Sequence, residues 1–118
     1  ALSVLCADID AFAGAACTLN GQLNEVAIHT TTDALIGSDL VPEIVLAGDI
    51  CYEKPFSECA IAWLHGLAAA GAHVLLGDPG RSYLPRSGLF QLTAYDVATS
   101  RDLEDRDVCR TVVYRLLA

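Results

Sequence analysis

Basic side chains are scarce in this chain: seven lysines and arginines stand against fifteen aspartates and glutamates, for a net charge of −8. Arg101, Arg106, Arg110 and Arg115, the nearest to a cluster, are interleaved with acids, so no basic groove for a polyphosphate backbone is expected and nucleic acid is set aside as a partner. Long apolar runs are missing too. Segments such as Val74 to Leu76 are far shorter than the ~20 residues a membrane crossing needs. No basic stretch with a cleavage site opens the chain, so the expectation is a protein that neither spans a membrane nor is secreted. The five cysteines, Cys6, Cys17, Cys51, Cys59 and Cys109, are odd in number and show neither a CxxC pair nor a His/Cys group at metal spacing. They read as reduced, core-filling thiols of a cytoplasmic protein with no metal site. Repeats, low-complexity tracts and linkers are also lacking.

What is present is enough for one core. At 118 residues and 53% hydrophobic, the chain is expected to form a single domain over residues 1–118, burying roughly two-thirds of the surface that its unfolded form exposes. The apolar pattern switches between strand-like and helix-like periods, the mark of an α/β domain with a largely parallel sheet. Leu2 to Ala7 reads as a buried strand ending in Asp8-Ile9-Asp10. Phe12, Ala15, Ala16, Leu19 and Leu23 recur at helical spacing, with Asp10 placed to cap the amino end. Val26 to His29 predicts a second strand, Thr30 to Asp33 a turn, and Glu43 to Ala47 a third strand running into Gly48-Asp49. Pro55 suits a first helical turn, and Phe56, Ala60, Ile61, Leu64 and Leu67 line one face of a helix stopping near Gly71. His73 to Leu76 is a fourth strand, closed by the turn Gly77-Asp78-Pro79-Gly80-Arg81. Leu92 to Ala98 and Thr111 to Leu116 alternate in polarity as an antiparallel pair, joined by the charged stretch from Arg101 to Asp107.

Ligands of open parallel sheets bind outside the carboxyl ends of the strands, and here those ends are acidic: Asp8, Asp10, Asp33, Asp49 and Asp78. Any one of these aspartates is accounted for by the preference of Asp for turns and caps. As a set they would repel one another unless a cation, hydrogen-bond donors or protonation relieved them. A ribose diol and a cationic ligand both satisfy that requirement, and the residues alone leave both open.

The motifs Ala7-Asp8-Ile9-Asp10, Ala13-Gly14, Thr18-Leu19-Asn20 with Leu23-Asn24, Val45 to Tyr52 and Val74 to Arg81 together resemble the seven-strand S-adenosylmethionine-dependent protein lysine methyltransferases, in particular those that modify the beta subunit of electron transfer flavoprotein. The resemblance runs from about Leu2 to Leu116, and its most specific pieces are Asp-x-x-Tyr at Asp49 to Tyr52 and Gly-Asp-Pro-Gly-Arg at Gly77 to Arg81. It implies a Rossmann-like methyltransferase sheet of parallel strands with a C-terminal antiparallel pair. By position, it implies that Asp8 binds the ribose hydroxyls of S-adenosylmethionine, with Ile9 against the adenine, Asp10 nearby and Asp33 by the adenine amino group. Asp49 and Tyr52 would form the wall between methyl donor and incoming lysine, and Arg81 would shape the substrate side or hold its loop. Tyr52 as a packed aromatic, and Arg81 as a partner of Asp78 or of its own turn, are the structural alternatives. The implied partner is a lysine-bearing protein, with the electron transfer flavoprotein beta subunit as candidate.

The match departs from the family at its start. No strand and glycine-rich turn precede Asp8, so the chain resembles the C-terminal two-thirds of such a domain, incomplete at its N-terminus. In the family's strand order, 3-2-1-4-5-7-6, the lacking strand is central. Its loss would leave a slot of about 10 Å edged by unpaired backbone groups. The expectation is that an N-terminal segment, a segment swapped from another chain or rearranged pairing fills it, and that the fragment alone is inactive. A phosphoacceptor receiver domain is the rival reading, since Asp8, Asp10 and Asp49 mimic its acids. It fails where Gly77-Asp78 replaces the Ser or Thr expected after the fourth strand, and where the sole lysine, Lys54, comes too early. A methyltransferase acting on a small molecule is the other alternative.

Overall fold

The computed structural model describes residues 3–100 and 108–118. It arranges them as β1 (Leu5–Ala7), α1 (Ala11–Leu23), β2 (His29–Thr31), β3 (Ile44–Gly48), α2 (Lys54–Ala69), β4 (His73–Asp78), β5 (Leu89–Ala98) and β6 (Val108–Leu116). The charged stretch expected to join the last two strands lies outside the described residues, as does Leu2. Contacts divide the chain into two compact units, Ala1–Ser38 and Asp39–Ala118.

In the first unit β1 and β2 pair in parallel, Leu5 opposite His29 and Ala7 opposite Thr31. Asp10 caps α1 as its position demands, its carboxylate accepting the Phe12 N–H at 2.9 Å. Two expectations are corrected. The second strand is His29–Thr31 and not Val26 to His29, so Thr30 and Thr31 are ladder residues, not turn. The apolar run before it is spent on the end of the helix: Glu25 turns the chain at φ +55° and Val26 donates its N–H to the Gly21 carbonyl at 2.9 Å. Ile28 packs where Gly21 has no side chain, since a Cβ there would lie 3.0 Å from Ile28 Cγ1. The second correction concerns the face α1 presents. The stripe of Phe12, Ala15, Ala16, Leu19 and Leu23 is exposed, Phe12 by 86%, while Ala13, Gly14, Cys17 and Gly21 are the more enclosed positions. Those small side chains let the helix lie close on β1 and β2, which outweighs the larger apolar stripe.

The second unit holds a four-stranded sheet in the order β3-β4-β6-β5, with β3 and β4 parallel and the β4–β6 and β6–β5 pairs antiparallel. The helix α2 buries Ala60, Ile61, Leu64 and Leu67, as its period requires, and the chain leaves it through Gly71 at φ +104°. Of these, Ile61, Leu64 and Leu67 form one core with Val74 and Leu76 of β4, Cys51, Ala72 and Leu116. Strand alternation places Asp78 on the same buried side as Val74 and Leu76.

Within each unit the strand order is that of the seven-strand methyltransferase sheet: β2-β1 stand for its third and second strands, and β3-β4-β6-β5 for its fourth, fifth, seventh and sixth. The antiparallel β6 is foreign to an all-parallel receiver sheet. Among the described residues β1 pairs with β2, and β3 with β4.

Candidate functional site

The acid-bearing end of the second unit is built by β3, β4 and the turn that follows β4. Asp49 leaves β3 at φ +51°, a left-handed backbone that Asp tolerates better than most residues, and its N–H extends the ladder to the Gly77 carbonyl at 2.9 Å. That bend carries the side chain to Arg81. The guanidinium grips the carboxylate with both arms, Nε to Oδ1 at 2.7 Å and Nη2 to Oδ2 at 2.8 Å. This fork-on-fork geometry is the strong, orienting form of an ion pair. Hydrogen bonding from Arg81, ahead of its charge, holds the Asp49 carboxyl below its ordinary range against a smaller opposing effect of burial.

Arg81 is in turn placed by a buried acid. Asp78 is 1% exposed, and its Oδ2 accepts the backbone N–H groups of Gly80 at 2.7 Å and Arg81 at 2.8 Å. Its Oδ1 has no hydrogen-bond partner among the described residues. Gly80 takes φ +95°, which the turn needs in order to aim two successive N–H groups at one oxygen. A second tie joins the loops: Tyr83 donates its N–H to the Cys51 carbonyl at 3.3 Å, and the Ser57 hydroxyl donates to the Tyr83 carbonyl at 3.1 Å. Burial pushes the Cys51 thiol above its usual range, so it fills space and is no nucleophile.

Asp49 also lies in the wall of a cleft of about 320 Å³, with Gly48 and Gly77 among its lining and Pro79, Val97 and Cys109 beside them. Tyr52 is exposed, with its ring 5.9 Å from that of Phe56. An exposed carboxylate beside a largely apolar cleft can receive an alkyl chain that ends in an amine.

In the first unit, Asp8 follows β1 and accepts the Asp10 N–H on Oδ1 at 2.9 Å, while Asp10 is engaged with the helix. Ile9 is 76% exposed between them. Asp33 is exposed, its N–H donating to the Thr31 hydroxyl at 3.1 Å. A cleft of this unit, about 490 Å³, is lined by Thr18, Thr30, Thr31, Thr32 and small residues of α1, and none of Asp8, Ile9, Asp10 or Asp33 is in its wall. A carboxylate with one oxygen fixed and an exposed apolar neighbour fit the nucleoside half of S-adenosylmethionine. For the methionine half the fit is poorer, since neither strand-to-helix turn, Asp8 to Asp10 or Asp49 to Glu53, contains a glycine to open a backbone cradle.

The structure therefore brings together Asp49 and Arg81 in one unit and Asp8, Ile9 and Asp10 in the other. Asp78 was legible only as one more strand-end acid. The signal that sets it apart is its parity with Val74 and Leu76, which buries it. All five cysteines are free, but only Cys51 and Cys109 are buried, so the core-filling role holds for those two and fails for the exposed Cys59. His65 is structural, its Nδ1 2.7 Å from the Leu117 carbonyl. Among the described residues no group of three or more metal-ligating side chains occurs, and no helix is long and apolar enough to cross a membrane.

No family model matches the chain. It is 30% identical over 119 residues to the electron transfer flavoprotein beta subunit lysine methyltransferase of Danio rerio, an alignment of 95% of this chain with 46% of that protein. The Xenopus laevis protein of the same name is 35% identical over 82 residues, covering 67% of this chain and 33% of its own. That of Mus musculus is 28% identical over 121 residues, covering 97% and 48%. The chain thus spans half or less of the length of these relatives. Among solved structures, magnesium protoporphyrin IX methyltransferase from Synechocystis PCC 6803 with bound SAM matches with a TM-score of 0.60 at 15% identity, over 97% of this chain and 59% of that one. Its form with bound SAH gives the same score. That likeness establishes the fold: an incomplete Rossmann-like methyltransferase sheet.

Proposed function

We propose, from its kinship with the electron transfer flavoprotein beta subunit lysine methyltransferases, that this chain is part of the catalytic domain of an S-adenosylmethionine-dependent protein lysine methyltransferase. The acceptor is a lysine of a protein, the electron transfer flavoprotein beta subunit being the one that the names of the relatives supply. The observation that carries the reading is the oriented carboxylate of Asp49 beside an apolar cleft, within the Asp-x-x-Tyr segment that resembles the family's.

S-adenosylmethionine, when bound, supplies the electrophilic methyl carbon. Asp8 holds its ribose hydroxyls, Ile9 covers the adenine, and Asp10 and Asp33 complete that side. Asp49 accepts hydrogen bonds from the lysine nitrogen and aims its lone pair, and Tyr52 excludes water from the same place. Such alignment is worth on the order of 7–11 kcal/mol in well-oriented systems. A lysine near pKa ~10.4 must lose a proton first. Asp49, held below the ordinary carboxyl range by Arg81, is too weak a base to take it, so water does. The free thiols suit a reducing compartment, and we place the protein in the cytoplasm.

The test is transfer of labelled methyl from S-adenosylmethionine to purified electron transfer flavoprotein beta subunit by the full-length protein. Label in a lysine is expected, lost in Asp49→Asn, which keeps a residue suited to the left-handed backbone, and with Asp8→Ala chiefly weakening cofactor affinity. A wild-type protein that labels no lysine overturns the reading.

A further inference from the structure

The loop after β4 does more than close a turn. Three acidic or basic groups stand in series there: buried Asp78, the backbone and guanidinium of Arg81, and Asp49. Asp78 fixes the Gly80 and Arg81 N–H groups through a single oxygen, and Arg81 then meets Asp49 in a two-armed grip. Asp49 sits on a left-handed bend just past β3, its backbone N–H held by the Gly77 carbonyl but half of its side chain exposed. Without that grip its carboxylate would sample several rotamers. The arrangement therefore spends Arg81 on a neighbour inside the protein.

We infer that Asp78 and Arg81 are positioning residues of the proposed methyl transfer: Asp78 anchors the turn, the turn aims Arg81, and Arg81 locks the Asp49 carboxylate in the orientation that receives the acceptor amine. Arg81 so acts through Asp49 and not as a contact of the substrate, which refines the role implied by the family resemblance. The inference rests on the proposed function for its catalytic consequence, but the relay itself lies in the geometry.

A planar fork cannot be replaced by a point charge. Arg81→Gln and Arg81→Lys are both expected to lower kcat by about 100-fold, the cost of a misplaced reacting group, with KM for S-adenosylmethionine near the wild-type value. Asp78→Ala is expected to follow them. Asp78→Asn is expected to recover most of that loss, because its amide oxygen can accept both N–H groups, as Oδ2 does now. NMR titration of the Asp49 carboxyl gives a readout without turnover: its pKa should rise toward the ordinary carboxyl range in Arg81→Gln and be nearly restored to the wild-type position in Asp78→Asn. Arg81→Gln alters a partly exposed side chain outside the core, so it remains informative if Asp78→Ala does not fold. An Asp49 titration unmoved by Arg81→Gln, or turnover by Arg81→Gln equal to wild type, overturns the relay. A wild-type protein that transfers no methyl group, with the titration moving as stated, overturns the proposed function and leaves the relay standing.

Discussion

The two units contain the same motif and differ in what they bury. Each has two parallel strands joined through a helix: β1-α1-β2 in Ala1–Ser38 and β3-α2-β4 in Asp39–Ala118. Yet among the described residues the buried hydrophobic ones all fall between Cys51 and Leu116, and in α1 only Gly21 is buried. α2 turns isoleucine and leucine inward, whereas α1 turns glycine, alanine and cysteine toward its strands and leaves its phenylalanine and leucines exposed. Since a fully buried leucine contributes about 1.5–3 kcal/mol, the same connectivity gains far more from apolar burial in the second unit than in the first. Topology specifies which strands pair. The side chains that leave water decide whether the pairing holds.

Leu76→Ala is the harshest test of that contrast. Leu76 is fully buried at the centre of β4, and its truncation should cost about 2–5 kcal/mol. Phe12→Ala, on the exposed face of α1, should change stability by no more than about 0.5 kcal/mol. Urea unfolding followed through Trp63, the sole tryptophan, which packs partly against the core, reads both. Equal losses would mean that the Phe12 face is buried in solution and would break the comparison.

The next effect is smaller and specific to the turn. Asp78→Ala leaves two backbone N–H groups of a part-buried turn without their acceptor, a loss of about 1–3 kcal/mol. Asp78→Asn should lose less than half as much in the same unfolding experiment, because one oxygen serves both donors. A full loss in Asp78→Asn would show that the charge, and not the acceptor, stabilises the turn.

These residues also show how far the sequence could be read. The period of Ala60, Ile61, Leu64 and Leu67 was legible because α2 packs its apolar stripe on a sheet, the arrangement that period encodes. β4 and the antiparallel pair were legible for a similar reason, although both ran longer than their patterns. β2 was misplaced because Val26 to Ile28 look like a strand while their job is to close a helix over Gly21. α1 was placed correctly, but its packed face was not, because a close approach by small residues leaves no hydrophobic signature. The strand-end acids were visible as a set. The grip of Arg81 on Asp49 was not, because it depends on a left-handed bend at residue 49 and a turn at residue 80 that fix side chains 32 positions apart in the chain.

Gly21→Ala probes the close approach in the first unit. Its Cβ would come within 3.0 Å of Ile28 Cγ1 and 3.2 Å of the Val26 carbonyl oxygen, and that oxygen belongs to backbone that cannot swing aside. Overpacking of this kind costs about 1–3 kcal/mol. Because the damage falls on the end of α1, it should appear as faster amide exchange at Asn24 and Val26, whose N–H groups close the helix, with β4 amides unaffected. Faster exchange in β4 as well would show that the two units unfold together, and would sharpen the contrast into one of local density alone.

The smallest effect is the pH dependence of the Asp49–Arg81 pair, which belongs to the second unit. Asp49 titrates below its ordinary value in the folded chain because Arg81 donates to its charged form. A depressed carboxyl binds its proton less readily folded than unfolded, so its contribution is fully present above the unfolded pKa, near ~3.9, and is lost as pH falls through the folded one. Neutral solution therefore leaves the contribution constant, and only the acid limb of a stability curve reports it. Arg81, a third exposed, and Asp49, half exposed, are screened by water, which keeps the figure at or below about 1 kcal/mol. Wild type should lose stability on acidification slightly more steeply than Arg81→Gln, the two curves converging at low pH when read through Trp63. Parallel curves across the acid limb would mean that the pair does not hold in solution, and that Asp49 keeps its place through the backbone bend alone.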